Sequence, residues 1–219
     1  MSYLKDEIQE LKRELIAMGA HVEGCVKDTY TALHTGSEEL LESIIAREEK
    51  TNAMEKSLED HCLRLLVTWN PRAKDFRLIC SVLKIITDLE RIGDHSQDIS
   101  EIQMMMAPGT RGGDLPIIES MYEQVTEMLR MGMDAFVAED EEIAKAVGPM
   151  DDIVDGAFLR AREKVIEIIR NHEEDPSAAL DLMQIAKYVE RIGDHAENIA
   201  EWVIYSNTGV HPSLNRELL

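Results

Sequence analysis

Apolar residues recur every three to four positions through nearly the whole chain, and the pattern breaks at only a few places. The spacing predicts a first helix over 3–35 and a second over 37–69. Gly36-Ser37 parts them, with Gly just past a helix end and Ser as the next N-cap. Asn70-Pro71 reads as an N-cap followed by Pro at the first helical position, opening a third helix to about 107. The densest Pro/Gly stretch, PGTRGGD at 108–114, is the candidate boundary. A fourth helix is predicted over 115–138 and a turn in the acidic AEDEE stretch, 138–142. A fifth helix then runs to about 172, and Asp175-Pro176 caps a sixth to about 206.

Three helices are therefore followed by three more, and the halves share a motif. ERIGDH at 90–95 returns unchanged at 190–195, in the third and sixth helices. Two copies of about 100 residues make an internal duplication rather than a solenoid. The predicted fold is all-α: two tandem three-helix bundles, 1–107 and 115–219, joined by the linker 108–114.

The sixth helix carries Leu182, Ile185, Val189, Ile192, Ala196, Ile199 and Val203 in an a/d seam, and the third carries Leu78 to Ile99 in the same phase. With Leu89 and Val189 as a positions, Glu90 and Glu190 fall at b and Asp94 and Asp194 at f. Both pairs are expected to point away from the seam. The acid stripe continues through Asp98 and Glu101 in one half and Glu197 and Glu201 in the other. Like charges at i, i+4 and a Gly inside each motif both weaken a helix. Gly93 and Gly193 would let a neighbouring helix, or an ion and its waters, come close. The preceding helix in each half has a related pair at matching phase, Glu48 and Asn52 in the first and Asp151 and Asp155 in the second. Oxygen ligands on two helices suit hard or borderline cations. Against this stands the f position, which lies far from a neighbouring helix. Gly148-Pro149 is a second concern, because a kink there would move Asp151 out of line.

Composition narrows the classes. The 219 residues are 44% hydrophobic but only 5% aromatic, which favours helices. No apolar run reaches the roughly 18 residues of a membrane span, and the charged N-terminus is not a signal peptide, so the expected compartment is the cytoplasm. Cys25, Cys62 and Cys80 lack zinc-site spacing and read as buried thiols. A net charge of −20 repels nucleic acid and favours cations or basic partners. For most of the 43 acids the plain reading is a solvated surface, and Arg91 and Arg191 neutralising the motif acids for solubility alone is an alternative. A carboxylate-bridged metalloenzyme is another, but no His follows a Glu by three residues as di-iron bundles require. No Walker-type loop and no nucleophile–base grouping is present. A metal-free helical adaptor is the third. His95 and His195 read as hydrogen-bonded flank residues, and Trp69 and Trp202 as core or interface anchors near helix ends.

The chain resembles the PhoU family of phosphate-signalling regulators along nearly its whole length. The likeness rests on ERIGDHSQDI (90–99), ERIGDHAENIAE (190–201), NAME (52–55), NPRAKDFRL (70–78) and DAFVAED (134–140). It implies a non-enzymatic cytoplasmic regulator, acting as a homodimer. Such a protein restrains a high-affinity phosphate ABC transporter and reports phosphate sufficiency to a sensor histidine kinase. It also implies multinuclear metal clusters of iron or zinc, or magnesium, on the bundle surface. By motif position the implied metal residues are Glu90, Asp94, Glu190, Asp194, Asp151 and Asp155. Glu48 and Asn52 form a degenerate first copy, and Asp98 and Asn198 follow the motifs.

Overall fold

The computed structural model describes residues 2–106, 116–171 and 175–211, so the predicted linker at 108–114 and the predicted helix ends at 107 and 172 lie outside the described residues. The elements are α1 (Ser2–Thr35), α2 (Glu38–Trp69), α3 (Ala73–Met105), α4 (Pro116–Ala138), α5 (Glu141–Lys145), α6 (Gly148–Asn171) and α7 (Pro176–Thr208). Among the described residues there is no strand.

Most boundaries follow the local chemistry. Gly36 takes the left-handed conformation (φ 65°) after α1. The Ser37 side chain accepts from the Leu40 amide at the start of α2. Asp175 caps α7 by accepting from the Ser177 amide, with Pro176 at the first position. Asn70 departs from the expected role. It closes α2 as a left-handed residue (φ 44°, ψ 60°), and Arg72 precedes α3. Asn tolerates that conformation, and Pro71 cannot prolong the helix.

The predicted fifth helix is broken in two. Asp140 accepts from the amides of Glu142 and Ile143 and starts the single turn α5. The chain then restarts as α6 at Gly148, so Pro149 sits in the first turn, where its missing N–H forfeits no helical bond. Pro149 therefore begins α6 rather than bending it.

Helices α1–α3 form one bundle and α4, α6 and α7 the other, with α5 against α4 and α7. The bundles are fused through α3 on α7 and α1 on α4. The two central helices run antiparallel. Arg77 Nε donates to the Ser206 carbonyl (3.4 Å), Asp88 meets His195 (2.9 Å), and the His95 ring lies 5.3 Å from that of Tyr188. As numbers climb along α3 they fall along α7, so the two ERIGDH segments lie level with each other about a local two-fold axis. Leu89, Ile92 and Ile99 of α3 and Val189, Ile192 and Ile199 of α7 are fully buried. No helix among the described residues is long and apolar enough to cross a membrane.

The two-helix seam underestimated this burial. α7 is covered by α3, α4, α5 and α6, so its b position is not solvent-facing and Glu190 is only 9% exposed. Trp69 is 40% exposed and so not a core anchor, whereas Trp202 packs against the Tyr205 and His211 rings. The three cysteines are free, with Cys25 and Cys62 buried and Cys80 half-buried.

On α4, a Cβ added at Gly132 would lie 3.3 Å from Ile199 Cγ2 and 3.5 Å from the Ala196 carbonyl oxygen of α7. Backbone on one side leaves little room to yield. Gly132→Val is expected to cost about 2 kcal/mol by overpacking, read as a lower urea midpoint with an unchanged slope.

Candidate metal centre

The second repeat gathers three carboxylates. One oxygen from each of Asp151, Asp155 and Asp194 lies within 4.8 Å of the others. Asp151 and Asp155 are one turn apart on α6, and Asp194 comes from α7. The f-position objection fails here because α6 crosses close to α7. A Cβ added at Gly193 would sit 3.2 Å from Asp151 Oδ1 and 3.5 Å from Val154 Cγ1. The motif glycine thus admits both the helix and its carboxylate. Gly93 does half of this, since its added Cβ would meet Thr51 Cγ2 at 3.0 Å. Thr51 matches Val154 in the repeat, but no carboxylate reaches Gly93 as Asp151 reaches Gly193.

Charge is poorly compensated at this place. Asp151 Oδ1 is buried without a hydrogen-bond partner. Burial, then Glu197, Asp194, Asp155 and Glu190, push the Asp151 carboxyl up to about 7. Asp194 is also raised, by desolvation first and Glu190 second. Glu190 itself is engaged by Lys187 from the preceding turn. An orphaned buried oxygen facing two further carboxylates, with space kept by a glycine, fits an oxygen-ligated cation. Asp151, Asp155 and Asp194 would hold it.

The first repeat is arranged differently. Asn52 donates to Glu48 Oε1 at 2.5 Å, so these two satisfy each other. Arg91 lies 3.5 Å from Glu90 and donates to Asp94 at 3.2 Å. Glu90 is still pushed up to about 7, by burial and then by Asp94, with Arg91 opposing and Glu55 adding to the rise. Asp94 is raised as well, by burial first, with Glu48 and Asp98 adding. Among the described residues, no three carboxylates of this half converge as those of the second do.

Asp98 lies 3.5 Å from His95 Nδ1 of its own helix, and Asn198 lies in the α3–α7 interface, where it donates to Asp88 Oδ1 at 3.2 Å. His95 and His195 meet there, ring centroids 5.6 Å apart. Glu197, already part of the predicted acid stripe, adds to the charge around Asp151. Two further residues carry no such expectation. Glu55 extends the heptad spacing of its acid stripe (48, 52, 55), which is the available signal. Asp88 has Tyr188 as its repeat counterpart, so nothing in the sequence marked it.

Comparison with known proteins places these features. The PhoU domain model matches residues 15–103 and again 118–203. The chain is 33% identical over 214 residues to the phosphate-specific transport system accessory protein PhoU homolog of Pseudomonas putida, covering 96% of this chain and 84% of the relative. It superposes on the crystal structure of PhoU from Pseudomonas aeruginosa with a TM-score of 0.86 at 30% identity, covering 94% of this chain and 99% of the other. The crystal structure of the phosphate transport system regulatory protein PhoU from Streptococcus pneumoniae gives 0.88 at 24% identity, covering 95% and 98%, which is a likeness of fold.

The raised Asp151 carboxyl fixes a sign. Between its ordinary value of 3.8 and about 7 the native state keeps a proton the unfolded chain has lost, so native stability falls as pH rises through that window. In chelator at pH 8, Asp151→Asn is expected to stabilise by about 1–2 kcal/mol, after discounting for solvent screening. At pH 4 the gain disappears. Thermal unfolding at both pH values checks it.

Proposed function

The chain belongs to the PhoU family, and from that premise we propose that it restrains a phosphate ABC transporter and relays phosphate sufficiency to a sensor histidine kinase. It is an accessory, regulatory protein of phosphate transport rather than an enzyme. It works on the cytoplasmic side as a homodimer, with a cation at the α6–α7 carboxylates. The observation that carries the transport role is the double match to the PhoU domain, one ERIGDH motif in each match.

The cation reading is supported by the orphaned Asp151 oxygen and its two neighbours. A bound cation would supply positive charge and order the acidic face. The chain's own part is to hold three oxygens together, one from half-buried Asp151 and two from exposed Asp155 and Asp194, and keep α6 close to α7 through Gly193. An all-oxygen set suits magnesium, manganese or iron better than a thiolate-seeking ion. Because partner surfaces docking here would meet a face of altered charge, cation occupancy would tune which basic partner binds.

Deleting the gene in its source organism is expected to raise transcripts of phosphate-uptake genes under ample phosphate. Unchanged transcripts would remove the proposal. Complementation with Asp151→Asn, Asp155→Asn and Asp194→Asn together is expected to leave those genes derepressed, and full repression would instead favour the metal-free adaptor.

A further inference from the structure

Asp88 is 8% exposed, inside the interface between the two repeats. Its Oδ1 accepts from His195 Nδ1 at 2.9 Å and from Asn198 Nδ2 at 3.2 Å. A carboxylate can only accept, so the proton of that imidazole bond sits on Nδ1. Both donors are on α7, three residues apart, and both converge on one oxygen of α3. Rotating α7 about its axis breaks both bonds together.

His195 directly follows Asp194. Neighbouring side chains on a helix diverge by about 100°. Fixing where His195 points therefore fixes where Asp194 points: His195 toward α3, and Asp194 toward Asp151 and Asp155 on α6. We propose that Asp88 is a positioning residue for the α6–α7 cation site, acting from the first repeat through His195 and Asn198. The proposal rests on the cation reading above.

The other half is arranged differently. Asp88 has Tyr188 as its counterpart, and His95 meets that ring while its carboxylate neighbour is Asp98 of its own helix. The one-sided tie coincides with the one-sided gathering of carboxylates, because the tied helix is the one whose motif aspartate joins a cluster of three. Linkage makes the effect reciprocal: a cation that favours one α7 orientation also tightens the Asp88 contact. The first repeat would then register occupancy of a site it does not line.

The test is calorimetric titration of the full chain with Mn²⁺, comparing wild type, Asp88→Ala and Asp88→Asn. Both variants remove the same negative charge, and only Asn keeps an acceptor oxygen. Asp88→Ala is expected to weaken Mn²⁺ binding about fivefold, with Asp88→Asn staying within about twofold of wild type. A merely structural role would lower the unfolding temperature in chelator and leave Mn²⁺ affinity unchanged. Equal weakening in both variants would reduce the effect to charge and overturn the proposal, as would no weakening in either. If Asp88→Ala does not fold, His195→Phe removes the imidazole donor from the other side, and the same fivefold loss is expected; wild-type affinity there overturns the proposal. A wild type that takes up no Mn²⁺ overturns the cation reading itself, and this inference with it.

Discussion

α3 and α7 are enclosed by other helices on several sides, yet each carries acids on successive turns. A charge packed against protein rather than water is costly unless something pairs with it. Much of the molecule's polar detail answers that constraint. Arg91 reaches Glu90 and Asp94, Lys187 reaches Glu190, and Asp88 accepts hydrogen bonds from His195 and Asn198. Among the described residues, the carboxylate oxygen left buried without a hydrogen-bond partner is Asp151 Oδ1. The site is best understood as the place where internal pairing stops short.

The halves resolve the same constraint in different ways. In the first, Asn52 stands where the second has Asp155, and an amide can donate where a carboxylate cannot. Glu48 is thereby satisfied within α2, and Arg91 attends to the carboxylates of α3. In the second, Asp155 adds a charge where Asn52 adds a donor, and repulsion accumulates on Asp151. An amide in one half and an acid in the other leave the two faces with different charge and different internal pairing. The duplication preserved the scaffold, including a glycine that admits Thr51 or Val154, while the two faces diverged in charge.

Much of this was legible in the sequence, for local reasons. Capping residues, apolar period and the repeated hexapeptide are short-range signals, and they place the long helices and the pairing of acids on adjacent helices. What failed was anything set by a third helix. A heptad wheel treats the b and f positions as wet, but α7 has four neighbouring helices, so Glu190 is buried and Asp194 reaches α6. Asn70 was misassigned because the same residue serves helix starts and left-handed helix ends. Pro149 seemed a threat to Asp151 because a single long fifth helix was assumed; once α5 ends early, that proline occupies its favoured place. Asp88 lay beyond reach, since its importance depends on the antiparallel register of α3 and α7 alone.

A chain with 43 acids and 23 lysines and arginines offers many false sites, and counting charges does not separate them. Desolvation does. Surface carboxylates are screened by water and salt and interact weakly. Those paired with cations move the other way, as Glu139 does between Lys12 and Lys74, where it falls to about 2. Glu55, Glu90, Asp94, Asp151 and Asp194 are instead pushed upward. All five lie on the facing surfaces of α2 with α3 or α6 with α7, and burial is the leading cause in each. A solubilising surface would not desolvate its own charges, because doing so forfeits the hydration that makes acids solubilising. The acids that carry this cost lie on those two faces, and Asp94 and Asp194 do so in both repeats, which separates the faces from the rest of an acidic surface on physical grounds.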